Sequence, residues 1–506
     1  YNQWGTYSYS TFDAFALDFS GNTAGAKNWT TFSQGAGNPI VDTTIRDYNF
    51  YAQDQFRITP ALTVNYGVRY EYADLPQPEI SNPDYAQTGR IPTANKNFGP
   101  RVGIAYSFNK DRTVIRAGYG VYYARFQGGL LNTLFTKNGV YQQNLSLSAS
   151  RADEKAAGPV FPFRLPSMNM KAASGDLTFA SDDMRNPYTQ QGSLGIEHQL
   201  SNSMGVTASY IWSRGLHLYG VRDSNIGPLG PDVSYKIMDE AGSEVGTYTT
   251  PTYLYANRID KRYGRVNVIE SNNNTYYNAL ALQFRKRMAK GLQASVSYTW
   301  AHSIDYGQRG GDSNIFFSGA PTTMFNGDYR GEKGSGSLDQ RHRLVFNSVW
   351  APELSTRTDA VGRFLFNGWQ LSQITTVASA QPDTPYIYIS GTPFAGYAFN
   401  GSLNGFGGTN RVPFWPISSL DVDQVFRTDA RLSKILPFTE QVKLYLNFEA
   451  FNVFNHVSNT VLEARAFTAT NGVIRPYATY GVGKASGGFP DGTNARRAQV
   501  SLRFVF

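Results

Sequence analysis

The chain of 506 residues contains no cysteine, so no disulfide and no thiol chemistry enters its fold. That absence leaves an envelope location and a cytosolic one equally open. Charge is also scarce: 17% of residues are Asp, Glu, Lys or Arg, below the roughly 25% of ordinary globular chains. No run of 18 or more apolar residues occurs, which excludes a helical membrane protein. The net charge of +8 comes without a basic run or a nucleic-acid motif, so no nucleic-acid partner is expected. The five histidines (His198, His217, His302, His342 and His456) are scattered, with no pair at metal-ligand spacing. Asp182-Asp183 and Asp421-Val422-Asp423 do not match an EF-hand. Nucleophile elbows and phosphate loops are missing as well. The expectation is a protein that is not an enzyme and holds no metal and no cofactor.

What is abundant is aromatic and alternating. Phe, Trp and Tyr make up 14%, on a polar average. Leu62, Val64, Tyr66, Val68 and Tyr70 interleave with Thr63, Asn65, Gly67 and Arg69, and Leu292 to Trp300 and Val442 to Ala450 follow the same rule. Period-two alternation sets an apolar phase on one face and a polar one on the other. The segments run about nine to fifteen residues, where soluble strands average about five or six. A tilted strand needs roughly nine to eleven to cross a bilayer. The pattern therefore predicts an all-β, transmembrane, antiparallel up-and-down β-barrel spanning 1–506.

Connection lengths point the same way. Short turns, such as Asn109-Lys110-Asp111-Arg112 and Ala289-Lys290-Gly291, alternate with long stretches near 74–97, 127–188, 219–274, 306–337, 383–423 and 457–494. Short periplasmic turns and long external loops are the signature of outer-membrane barrels. About fourteen strands are expected, beginning at 4–10, where Phe12 to Phe19 also reads as a short helix. The last strand, Arg496 to Phe506, alternates through most of its length and ends on an aromatic. Phe504 and Phe506 resemble the C-terminal assembly signal of bacterial outer-membrane barrels, which implies the barrel-assembly machinery as a partner and the outer membrane, with its lipid, as the location.

Several segments resemble TonB-dependent outer-membrane transporters. They include Asn49-Phe50-Tyr51-Ala52-Gln53-Asp54-Gln55-Phe56-Arg57-Ile58-Thr59-Pro60 with the strand after it, and Asn97-Phe98-Gly99-Pro100-Arg101-Val102-Gly103. Tyr277 to Trp300 with Ser303-Ile304-Asp305, Asp339-Gln340-Arg341-His342-Arg343 and Asn447 to His456 are similar to the Oar-like branch. The resemblance implies a 22-stranded barrel filled by an N-terminal plug. It also implies energy from the TonB–ExbB–ExbD complex through that plug. Plug and TonB-contacting segment are expected outside this chain, which reads as the C-terminal part of the barrel. The implied function is active uptake of a bulky substrate. Passive porin and surface adhesin or scaffold are the alternatives, and the substrate class stays open among oligosaccharide, peptide, metal chelate and exported protein.

Parity assigns the candidate site. Arg69, Glu71, Arg101, Arg116, Arg285, Arg287, Arg427, Asp429, Arg431, Lys443, Glu449, Arg497 and Arg503 are expected on the lumen wall. At mid-depth against lipid, a basic residue would cost about 2–4 kcal/mol. Mutual pairing in a hydrated wall, contact with the plug, and guidance of an anionic substrate are the roles open to them. Aromatic residues of the long loops, Tyr329, Tyr386, Tyr388 and Trp415, with Phe316 and Phe317, are candidates for ligand contact, since such side chains give large contact area at low entropy cost. Packing of the loops on one another is the competing role.

Overall fold

Alternating strands joined by tight turns can pair only with their sequence neighbours, and the chain does so without a crossover. A computed structural model describes all residues except 1, 22–26, 38–39, 150–151, 167–175, 307–322, 355–359, 400, 440, 485–486 and 491. Thirteen strands form one continuous meander. They are β1 (Arg46–Thr59), β2 (Leu62–Asp74), β3 (Asn97–Phe108), β4 (Thr113–Tyr123), β5 (Tyr188–Ser201), β6 (Met204–Asp223) and β7 (Val266–Ala289). The path continues through β8 (Leu292–Tyr306), β9 (His342–Trp350), β10 (Trp369–Ala378), β11 (Val425–Pro437), β12 (Lys443–Phe451) and β13 (Arg497–Val505). The short turns use left-handed backbone: Asn109, Lys110 and Asp111 have positive φ, as do Lys290 and Gly291. β12 and β13 pair from Lys443↔Val505 to Phe451↔Arg497 without a slip. Among the described residues β1 and β13 are the two edges of the sheet, which is open.

One expected strand lies elsewhere. The 4–10 segment forms a strand, Asn2–Ser8, but pairs with Thr31–Gly37 in a separate three-stranded sheet completed by Gln142–Ser148. Its seven residues are too short to cross a bilayer, and the helix Phe12–Phe19 turns the chain back so that a local partner takes its hydrogen bonds. Thr11 caps that helix through its Oγ1, which accepts from the Ala14 amide at 3.1 Å. Among the described residues the path of the wall thus runs through thirteen strands, the 4–10 segment of the expected set lying outside it.

The long connections fold together into a cap. A five-stranded sheet takes Glu244–Thr252 and Gly230–Met238 from one loop, Val473–Pro476 and Arg465–Thr470 from a second, and Tyr386–Ile389 from a third. Two of its contacts are parallel, Lys236↔Val473 and Tyr386↔Arg465. Its core gathers Tyr235, Ile387, Leu403, Val412, Phe467 and Ile474. A second core sets Leu130, Leu131, Leu134 and Phe135 of the helix Gly128–Thr136 against Leu75, Ile91, Val221 and Ile269. β6 and β7, at 20 and 24 residues, outrun the membrane and rise into this cap. Of the largest fully buried side chains, Tyr235 and Phe406 lie in the cap, Val221 and Ile269 in these extensions, and Trp29 and Phe32 in the core of the separate three-stranded sheet.

Candidate functional site

Cross-strand register brings the predicted charges onto one face. Arg69 stands opposite Tyr51 and Gly99, Gly67 opposite Arg101, Ala105 opposite Arg116, and Arg116 opposite Gly195. Continuing around the sheet, Gly205 faces Arg285, Thr376 faces Arg427, Arg431 faces Glu449, and Tyr445 faces Arg503. Directly opposed residues share a face, so the candidates occupy one polar surface. Leu282, Tyr298, Leu344, Leu446 and Leu502 line the other. Parity is not pure: Gln373, Ser348, Thr375 and Thr428 sit on the apolar face and satisfy one another by hydrogen bonds.

Along this surface charge is paired toward the outside and at mid-wall. Arg69 meets Glu71 at 2.5 Å, Arg427 meets Asp429 at 2.9 Å, and Arg431 makes two hydrogen bonds to Glu449. Arg427 also donates to the Phe489 carbonyl at 2.6 Å, tying the wall to the last long loop. Arg116 pairs with Glu197 at 3.0 Å nearer the short-turn end, and the Arg101 guanidinium lies 4.5 Å over the Tyr122 ring. Among the described residues Arg285, Arg287, Lys443 and Arg503 have no acidic partner, and all four stand toward the short-turn end. Arg285 and Arg287 border a hollow of about 400 Å³ with Arg112, Glu197 and His198. Among the described residues the ion pairs of this surface thus lie mostly above, and a group of basic residues without an acidic partner lies below. Partners such as Glu197 and Tyr122 follow from the same parity once it is carried onto neighbouring strands.

A hollow of about 940 Å³ on this face is floored by glycine. Gly103 and Gly118 stand directly opposite each other, and Gln53, Asn65, Arg69, Arg101 and Gln191 ring them. A Cβ at Gly103 or Gly118 would meet nothing closer than 3.7 Å, so the backbone there does not demand glycine; the missing side chains leave room.

The loop aromatics divide. Tyr329 is 8% exposed, its hydroxyl accepting from the Val221 amide at 2.6 Å, and burial pushes its phenol up to about 12. Trp415 packs on Phe467 and Tyr480 at 4.9 and 5.7 Å between ring centroids. Tyr329 is thus buried in the cap, and Trp415, half-buried, packs against the core of its sheet. Tyr386 gives its backbone to the cap sheet, whereas Tyr388 is exposed, with the Arg465 guanidinium 4.7 Å over its ring. Phe316 and Phe317 lie outside the described residues. At the C-terminus Phe504 and Phe506 are exposed on the apolar face, 6.2 Å apart. No helix among the described residues is long and apolar enough to cross a membrane.

Comparison with known proteins agrees with this architecture. No curated protein matches the sequence. The outer membrane transporter YddB of Escherichia coli superposes with a TM-score of 0.50 at 13% identity, covering 100% of this chain and 49% of that one. A variant of the ferric enterobactin receptor PfeA of Pseudomonas aeruginosa matches at 13% identity and a TM-score of 0.46, over 94% of this chain and 50% of that one. The FrpB iron transporter of Neisseria meningitidis matches at 9% and 0.43, over 89% and 45%. The chain spans about half the length of these solved structures. The description "Outer membrane beta barrel domain" matches residues 2–400, most of the chain. With the lipid-length strands, the two-faced wall and this match together, the chain belongs to the outer membrane beta barrel domain family, and its place is the bacterial outer membrane.

Proposed function

We propose that this chain forms part of the wall and the external cap of a TonB-dependent transporter that takes up a bulky substrate. The observation that carries the reading is the pairing of a continuous polar wall with a folded cap above it. A cap built from three interlocked loops is an entrance with structure of its own, suited to selecting large solutes. The outer membrane holds no ATP, so uptake against a gradient draws energy from an inner-membrane partner, assigned here to TonB–ExbB–ExbD. The paired charges Arg69–Glu71, Arg427–Asp429 and Arg431–Glu449 keep the wall hydrated and fixed in shape. The basic lower surface of Arg285, Arg287, Lys443 and Arg503 suits an acidic face of the plug. The resemblance of segments in β7 to β9 and β12 to the Oar-like branch supports assigning the transporter to that branch.

The test is uptake by cells in which the full-length protein is the only route for a solute drawn from a panel of oligosaccharides, peptides and metal chelates. Uptake is expected to stop when TonB is removed or the proton-motive force is collapsed. Uptake that persists under both treatments overturns the reading in favour of a passive channel.

A further inference from the structure

A lysine on the lipid-facing surface shows what the turn between β9 and β10 is for. Lys434 of β11 stands directly opposite Trp369 of β10 and Leu446 of β12, the apolar face of the wall. It lies near the short-turn end, three residues before Pro437 closes the strand. A bare ammonium on that face would be costly. Yet Lys434 is only 6% exposed. Its Nζ donates to the carbonyls of Leu365 and Asn367 at 3.4 and 2.5 Å, and lies 4.8 Å from the Trp369 ring and 5.8 Å from the Phe364 ring. The groups that cover it belong to the helix Ala360–Phe366 and the residues after it. Carbonyls at a helix C-terminus carry partial negative charge and suit a cation. The Trp369 indole donates to the same Leu365 carbonyl at 3.0 Å, a second tie.

The helix is therefore folded back onto the outside of the wall, away from the lumen. Gly368 makes the fold possible. Its φ is +77°, and a Cβ there would stand 2.4 Å from the Ile435 carbonyl, while the Gly368 carbonyl accepts from the Ile435 amide at 2.8 Å. Only glycine supplies that conformation and that closeness at no steric cost. Lys286 on β7 has the same problem and a simpler answer: its Nζ bonds to Ala289 and Leu292 of its own hairpin at 2.8 and 2.7 Å. The 360–366 helix goes further, because it leaves apolar side chains uncovered. Val361, Phe364, Leu365 and Phe366 are 67, 56, 53 and 47% exposed. Beside the Lys434 latch, whose ammonium lies 5.8 Å from the Phe364 ring, Trp350, Leu371 and Leu432 stand opposite one another on the same wall face and are exposed as well.

We propose that the 360–366 helix is an in-plane membrane anchor, lying in the phospholipid leaflet on the periplasmic side, latched to the wall by Lys434 and Trp369. Its occupant is fixed by continuity: the same face, one residue pair away, already meets acyl chains. A helix lying in the interface buries its apolar side about 5–10 Å below the headgroups. The anchor would hold the depth and tilt of β9 to β11 in the membrane, independently of what the protein transports.

The absence of cysteine makes the test direct. Val361→Cys and Phe366→Cys, which leave the lysine latch untouched, are placed singly in the full-length protein on an otherwise cysteine-free background. Each is labelled with a small environment-sensitive fluorophore after reconstitution into phosphatidylethanolamine–phosphatidylglycerol vesicles. Quenching by lipid bearing a nitroxide near the headgroup is expected to exceed quenching by aqueous iodide by about threefold or more at both sites. A label at Thr439→Cys, on the exposed turn after β11, should show the reverse. If iodide reaches positions 361 and 366 and the lipid quencher does not, the helix stands in water and the proposal fails. If neither reaches them, protein covers the helix, and the proposal fails equally.

Discussion

In the wall Leu446 faces Leu502 across β12 and β13, and Leu502 is 70% exposed; in the cap Phe406 is 0% exposed, its ring 4.9 Å from that of Tyr253. Both regions are β-structure rich in aromatics, but the wall buries its apolar face in lipid and the cap buries its own in protein. The wall depends on the bilayer for its hydrophobic stabilisation and on ladder hydrogen bonds for its shape. The cap has ordinary close-packed cores, to which the burial rules of soluble proteins apply. Damage to one should therefore leave the other standing.

The largest expected effect is in the cap. Phe406→Ala removes a fully buried ring and should cost about 3–5 kcal/mol. External protease on intact cells would then cut the loops, while the barrel keeps its heat-dependent gel mobility. Loss of both together would show that wall and cap fold as one unit and break the comparison. Next comes a pair of neighbours on β7. Leu282 faces lipid between Ala208 and Tyr298, and Ala281 faces the lumen between Ser209 and Thr299. Leu282→Arg should destabilise by about 2–4 kcal/mol, and Ala281→Arg, in a hydrated surface, by less than about 1 kcal/mol. Urea unfolding in vesicles measures both, and equal costs would sink the two-faced wall.

Alkali should separate the regions as well. Burial raises the phenol of Tyr329 from 10.0 to about 12, and Tyr235, Tyr219 and Tyr253 move the same way for the same reason. A group whose folded value is raised stabilises fully below its unfolded value and loses that contribution as pH climbs through the folded one. Tyr329 should thus hold the cap fully below pH 10 and release it toward pH 12, an effect of up to roughly 3 kcal/mol. Tyr329→Phe should be less stable at neutral pH, since the Val221 amide loses its acceptor, and its protease protection should fall less steeply over that range. An identical alkaline profile for the variant would count against the buried phenol as the cause.

The wall was legible in the sequence and the cap was not, for a physical reason. Lipid imposes one rule on every strand, so alternation in Leu62–Asp74 or Lys443–Phe451 locates the element, its faces and its ends at once. The same parity put the charged candidates on one face, and the cross-strand register sets them there. In the cap, strands of four to six residues such as Tyr386–Ile389 and Arg465–Thr470 carry too little pattern to be told from loop. Their partners lie far away: Lys236 and Ile237 pair with Val473 and Ile474. Tyr329 and Trp415 looked like ligand contacts because aromatic content alone cannot distinguish a packed loop from a binding one. The 4–10 segment is expected in the wall, with Phe12 to Phe19 read also as a short helix; that helix forms, and the strand before it, Asn2–Ser8, has only seven residues and a local partner. Lys434 could have been found, since its neighbours Arg431 and Ser433 face inward and parity then points it at lipid.

The smallest expected effect tests whether space itself is a property of the wall. Gly118 lies in extended backbone, and a Cβ there would meet only Ser193 Oγ at 3.7 Å and the Val102 carbonyl at 3.8 Å, both ordinary contacts. Gly192, on the lipid face of the adjoining strand, differs: a Cβ would stand 2.3 Å from the Trp212 indole nitrogen. Gly118→Ala should leave stability within about 0.5 kcal/mol of the parent, because glycine in a strand interior is itself unfavourable. Gly192→Ala must displace the indole and should show the larger loss. If Gly118→Trp then slows uptake while the urea midpoint of Gly118→Ala stays unchanged, the glycine floor serves passage and not folding. A destabilised Gly118→Ala would instead place the trough among the structural parts of the wall.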